Sequence, residues 1–334
     1  LHVRSRRQRQ MCIRDRNSSM EHFKEVLDVN RLIISPLYLR EGLEFAKNQG
    51  YNDILIATND LGIDGVSRKH TLNVSLICEY DFIETLTISG DDYTIEPCNL
   101  NRLSVLPHLK NLGLWIDKVF TIDFSLFSKL EELEYYHTKQ TENVDTLINL
   151  KRLHIYNLKS EELEELKSMT LLEELTLWDA KNINLNGLCQ LTNIRTLEIV
   201  RSRKMIDIRG LCNSNRLKEL SLYYCNNITD ISVLNRLSRL KILRLRNCKR
   251  LQDLTQLVPN NTIKQISISS LKDLKFLAGM KKLKFLHFDD VIDGDISPLL
   301  DSSLEFVGMV SKKKYSHTEK EVNLILERNR LNNK

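Results

Sequence analysis

Apolar residues recur along this chain at the first, fourth and sixth positions of a short unit. The unit reads IETLTI from Ile83, LKNLGL from Leu109, LEELEY from Leu130 and LKRLHI from Leu150. It continues as LEELTL from Leu172, IRTLEI from Ile194, LKELSL from Leu217 and LKILRL from Leu240. It closes with IKQISI from Ile263, LKFLHF from Leu283 and LEFVGM from Leu304. Successive units start 26, 21, 20, 22, 22, 23, 23, 23, 20 and 21 residues apart, a register that isolated motifs do not hold by chance.

The spacing dictates local structure. The fourth and sixth positions are two apart, so they point to one side of a short strand. One such strand cannot bury its face alone. Stacked in parallel about 5 Å apart, the strands form a continuous sheet over a continuous core. The second half of each unit supplies the opposing wall. In ITDISVLNRL, Ile228, Ile231, Leu234 and Leu237 recur every three residues, which predicts a helical or 3-10 turn.

Repeat stacks need ends that differ from the middle. Residues 17–80 read as an α/β N-terminal cap. Ser35 and Pro36 start a helix expected to reach about Asn48, with Gly50 as its stop, and NDILIA around Ile54 to Ile56 reads as a strand in the sheet direction. Residues 81–310 are the repeats. Residues 311–334 are expected to form a C-terminal cap helix, opened by a Thr318/Glu321 capping box and striped with Val322, Ile325 and Leu326.

These units resemble the leucine-rich repeat family, from roughly Ile83 to Met309. LKELSLYYCNNITDISVLNRL and VIDGDISPLL resemble its bacterial internalin type. The resemblance implies an α/β leucine-rich repeat solenoid: a curved parallel sheet on the concave face and short helical or 3-10 turns on the convex face. Such units often carry Asn at the ninth position. Here that position holds Asp117, Thr138, Leu158, Ala180, Ser202, Cys225, Cys248, Leu271 and Val291, so the asparagine ladder is absent and its backbone bonds must be made otherwise. Cys225 and Cys248 fit the family's Cys alternative and read as small buried residues, not metal ligands. Scattered single cysteines without a C-x-x-C pair read as reduced core residues, not a disulfide framework.

Charge changes the picture at one end only. The formal net charge is +5, and the six Arg and one Asp of residues 1–16 account for all of it. The rest of the chain is neutral, so the electrostatic case for nucleic acid rests on sixteen residues. A basic nucleic-acid-binding arm fits their arginines. A transit peptide needs an amphipathic period that they lack. Back-translated, the stretch resembles a transposase adapter from sequencing-library preparation, in one frame from Leu1 into Arg16. It is therefore expected to be a disordered artefact, with the true chain entering at Asn17 or starting at Met20. A start at Met20 implies a cytoplasmic protein. A secreted or surface protein is the alternative, its signal peptide missing. No stretch of about 18 uncharged apolar residues reads as a membrane span.

Catalytic signals are poor. No Gly-rich loop follows a strand, and no H-E-x-x-H or G-x-S-x-G occurs. His137, His154 and His287 read as ordinary polar surface. DDVIDGD from Asp289 fails as a calcium loop, with Val291 third and Leu300 twelfth, and reads as a solvated acidic turn. KKKYSH from Lys312 reads as a solvated edge. No enzyme, metal or cofactor is expected.

One column stands out. The seventh position of each unit should face outward beside the last core residue of the strand. Reading along it gives Trp115, Tyr136, Tyr156, Trp178, Val200 and Tyr223, then Arg246, Ser269 and Asp289. The fifth position adds Glu134, His154, Glu198 and Arg244, while Tyr224 and His137 flank the column. Trp, Tyr and Arg dominate binding energy at interfaces. The expectation is a protein-interaction module binding a protein or peptide partner on Trp115, Tyr136, Tyr156, Trp178, Tyr223, Tyr224, His154, Glu134, Glu198, Arg244 and Arg246. The bland reading is that the column packs against itself. A glycan stacked on the rings is a further option, and nucleic acid lacks its cationic groove. An exported internalin-like adhesion protein is the alternative function.

Overall fold

A computed structural model describes residues 23–57, 70–90, 95–96, 99–116 and 120–332. Residues 1–16, Asn17, Met20, Cys98 and Asp117 lie outside the described residues. The chain forms two compact units, one ending at Leu147 and one beginning at Ile148.

In the first unit, Phe23–Val26 pairs antiparallel with Arg31–Ile34, which pairs in parallel with Asp53–Ala57. Asp53–Ala57 then pairs in parallel with Thr85–Gly90, followed by Asn111–Ile116 and Glu132–Tyr136. The NDILIA segment thus extends the repeat sheet in its own direction. The helix Leu39–Gln49 follows a 3-10 turn whose start is capped by Ser35, and Gly50 ends it at φ 78°, a left-handed conformation that glycine adopts without a side-chain clash.

The second unit is more regular. Arg152–Tyr156, Glu174–Trp178, Thr196–Val200, Glu219–Tyr223, Ile242–Arg246, Gln265–Leu271, Phe285–Val291 and Phe306–Met309 pair in parallel, each with the next. All eleven sequence units therefore contain strands, at the places the apolar spacing predicts. Leu175, Leu177, Leu197, Ile199, Leu220, Leu222, Leu243 and Leu245 are buried on the inner face. Short 3-10 turns form the opposing wall; Ser232–Arg236 is one, and Ile228, Ile231, Leu234 and Leu237 around it are fully buried.

The missing asparagine ladder is replaced piecemeal. The Ser202 hydroxyl shares its one proton between the Oδ1 of buried Asn182 (2.6 Å) and the Ala180 carbonyl (3.2 Å). Cys225 donates to the Ile199 carbonyl and Cys248 to the Leu222 carbonyl. The Cys248 sulfur beside it, and burial, push the Cys225 thiol up, which keeps it inert. The cysteines at 78, 189, 212, 225 and 248 are free.

At the C-terminus, Thr318 and Glu321 make the expected reciprocal capping contacts ahead of the helix Glu319–Asn332. Val322 and Leu326 face inward. Two expectations need correction here. Lys312, Lys313, Lys314 and Ser316 are exposed, as are Asp293 and Asp295, but KKKYSH is more than a solvated edge and DDVIDGD more than a free acidic turn, because the two bind each other through Asp290. Lys312 and Lys314 lie 2.9 and 2.8 Å from Asp290, and the Tyr315 hydroxyl donates to the same carboxylate at 2.9 Å while accepting from the Val291 N–H. Burial alone would raise the Asp290 pKa, but the Lys314, Lys312 and Tyr315 hydrogen bonds outweigh it and hold the value at about 2.

Candidate functional site

Parallel pairing places outward residues in straight rows. Tyr156, Trp178, Val200, Tyr223 and Arg246 occupy one register row of the second unit. His154, Thr176, Glu198, Ser221 and Arg244 occupy the next. Seven of the eleven expected contact residues thereby fall into two adjoining rows. Each of the five strands in these rows then ends on a left-handed residue. Asn157, Asp179, Arg201, Tyr224 and Asn247 have φ between 54° and 60°. The Asn157, Asp179, Arg201 and Tyr224 N–H groups each donate to the next strand, at 2.7–2.9 Å, so the turn extends the hydrogen-bond ladder. Asn and Asp tolerate this conformation; Arg201 and Tyr224 adopt it against preference. This puts Tyr224, 42% exposed, directly beside the column.

The rings are not an open stripe. Neighbouring strands are only about 4.8 Å apart, so large side chains in one row must lie on one another. Tyr156 and Trp178 have ring centroids 5.7 Å apart at 51°. The Arg201 guanidinium lies over the other side, its carbon 5.3 Å from the Trp178 ring, and is itself fixed by two hydrogen bonds to Asp179 at 2.8 and 2.6 Å. Trp178 is thus clamped and half-buried. Val200, between Trp178 and Tyr223, is buried instead of presented. Arg201 and Asp179 were missed from sequence; the signal was the Asn/Asp recurrence at the eighth position, Asn157, Asp179 and Asn247.

Arg244 and Arg246 act as braces. Arg244 donates to Glu219 (3.1 Å) and Ser221 (3.3 Å). Arg246 reaches past one strand to Asp289 at 2.9 Å and donates to the Ile268 carbonyl. Beyond them, the His287 ring lies over Gly308, where a Cβ would stand 2.4 Å from its Nδ1. Phe285 and Phe306 pair in register and are 43% and 48% exposed, two outward aromatics that the seventh-position column does not contain.

In the first unit, Trp115, Tyr136 and Glu134 lie on the Asn111–Ile116 and Glu132–Tyr136 strands, where Gly113 pairs with Glu134. Trp115 packs against a buried apolar cluster of Ile33, Leu55 and Ala57, with Val26 beside it. These lie on the face opposite the repeat core, because Arg31–Ile34 and Asp53–Ala57 are apolar on both sides. Trp115 is a cover for that cluster. Among the described residues, no group of three or more His, Cys, Asp or Glu is placed to hold a metal, and no helix is long and apolar enough to cross a membrane.

No family model matches the sequence, and no curated protein is matched by it. Solved structures are matched. An internalin, InlF of Listeria monocytogenes, aligns over 82% of this chain and 85% of its own, with 19% identity and a TM-score of 0.52. A leucine-rich repeat protein of Leptospira interrogans aligns over 84% of this chain and 80% of its own, with 17% identity and a TM-score of 0.50. The fold is therefore the internalin-like leucine-rich repeat: parallel strands backed by 3-10 turns, with a helix at the C-terminal end.

Proposed function

We propose that this is a non-enzymatic protein-interaction module whose second unit binds a protein or peptide partner on its strand face, centred on Trp178. One observation carries the reading. Trp178 is half-buried, with Tyr156 of the preceding strand and a carboxylate-fixed Arg201 after the following one both against its ring. A ring held in place before contact loses little entropy on binding, and Trp, Tyr and Arg are the residues that dominate interface energy. Tyr223, Tyr224, His154 and Glu198 flank it as adaptable contacts, while Arg244 and Arg246 hold the strand face rigid. The leucine-rich repeat fold, here as in the solved structures it matches, supports the role.

The test is affinity capture followed by calorimetry. Trp178→Ala is expected to keep the thermal midpoint within a few degrees and to weaken the captured partner by at least about 2 kcal/mol, roughly thirtyfold. Unchanged affinity in the folded variant overturns the proposal. Export and host contact is the second reading, supported by the likeness of fold to an internalin; a cytoplasmic role is the alternative to it. A signal peptide in the genomic frame ahead of Asn17 decides between them.

A further inference from the structure

We infer a second interaction surface, on the edge of the second unit where turns rise into strands, that fits a short, extended, acidic peptide segment. Four successive rising segments, 213–218, 236–241, 259–264 and 279–284, contain nine Lys or Arg and no Asp or Glu. The bases are Arg216, Lys218, Arg236, Arg239, Lys241, Lys264, Lys281, Lys282 and Lys284. Backbone hydrogen bonds run straight through the row. Lys241 N–H donates to Lys218, Lys264 to Lys241 and Lys284 to Lys264, at 2.8–2.9 Å. The lysines are therefore next-door neighbours, one per strand step. All nine except Lys284 are exposed, and among the described residues only Lys284 has a carboxylate within ion-pair distance, from Glu305.

Like charges carried on strands about 5 Å apart repel unless a counter-charge lies along them. The falling edge of the same unit is different, since Lys204, Lys249 and Lys272 are interleaved with Asp207, Asp230, Asp253 and Asp273. A chain that is neutral beyond its first sixteen residues has thus sorted its charge in space. The row also ends abruptly. Glu173 pairs with Arg195 on one side, and Glu305 with Lys284 on the other. A continuous polyanion would run onto these carboxylates. Three strand steps span about 14 Å, the length of four to five extended residues at about 3.3 Å each. No aromatic side chain occurs in the four segments, so base stacking has no platform there. The strand-face reading is not needed for this surface.

The probe is fluorescein-labelled hexaglutamate, with hexaglutamine as control, titrated by anisotropy at about 20 mM and about 300 mM NaCl. The full chain is compared with K218E/K241E/K264E and with the falling-edge control K204E/K249E/K272E. The expected result is salt-sensitive binding, weakened at least about tenfold by the rising-edge triple and less than about twofold by the control. The Arg-rich first sixteen residues are common to all three proteins, so the difference reports the edge. Carbodiimide coupling of the bound peptide should join its carboxylates to Lys218, Lys241, Lys264 and their neighbours. If the reversal triple melts early, K218Q/K241Q/K264Q replaces it. Equal binding by the edge variants, or crosslinks only elsewhere, overturns the inference. Tighter binding of duplex DNA, a heparin oligosaccharide or phosphatidylserine vesicles through the same lysines, by more than about tenfold, overturns the acidic-peptide assignment.

Discussion

The two tryptophans of this chain occupy the same position of their respective repeats and do different things. In the first unit Arg31–Ile34 and Asp53–Ala57 are apolar on both sides, so Ile33, Leu55 and Ala57 are buried on the outer face, and Trp115 reaches past Ser89 of the intervening strand to pack against them. In the second unit the strands alternate, and the outer neighbours of Trp178 are Tyr156 and a paired arginine. Position in a repeat fixes which way a side chain points. What it meets there is decided by the outward residues of the strands within its reach.

The largest expected effect lies on the inner face of the second unit. Leu175→Ala empties a fully buried inner position and should lower stability by about 2–5 kcal/mol in urea unfolding. A negligible shift would mean that Leu175 does not face the core. Next comes the contrast itself. Trp115→Ala should cost about 1–3 kcal/mol, because a half-buried ring leaves an apolar cluster uncovered, whereas Trp178→Ala should cost under about 1 kcal/mol. Equal losses would erase the distinction drawn between the two faces. The experiment carries its own reporter, since each single-Trp protein left by these substitutions emits from one unit only.

A smaller effect sharpens the second unit's far end. Asp290 titrates at about 2 when folded, against an ordinary 3.8, so its contribution is complete above about pH 4 and is lost as pH falls through about 2. Tyr315 shows the opposite sign. Burial, with Asp290 beside it, pushes its pKa to about 12, so its contribution is complete below about pH 10 and fades as pH rises through about 12. Asp290→Asn should flatten the acid limb of a stability–pH curve; an unchanged limb would place the acid sensitivity elsewhere. Smallest is Thr318→Ala, which removes the cap of the last helix for about 1 kcal/mol, read as loss of amide protection in residues 319–326. Full protection there would show that packing of Val322 and Leu326 alone holds the helix.

The sequence made the inner face legible because period alone determines it. Every L-x-x-L-x-L unit became a strand, and the Thr318 box and the Gly50 stop followed from local chemistry. The outer rows were legible as rows but not as contacts. Nothing near Lys312 or Tyr315 announces Asp290, more than twenty residues away, and nothing in the seventh-position column announces Arg201 across Trp178. Those partners meet only because stacking turns a separation of about 22 residues into one strand step. Phe285 and Phe306 were overlooked for a simpler reason, being outward residues of the row that begins each strand.

The left-handed residue that ends each of the first five strands of the second unit keeps one backbone shape under five placements of four side-chain types: Asn157, Asp179, Arg201, Tyr224 and Asn247. Its hydrogen bond to the next strand comes from the main chain, so the ladder does not read the side chain. Amide, acid, base and phenol have all been accepted at that point. The surface beside the aromatic row is therefore open to revision one repeat at a time, and a lineage of such proteins can change the chemistry of that face without refolding.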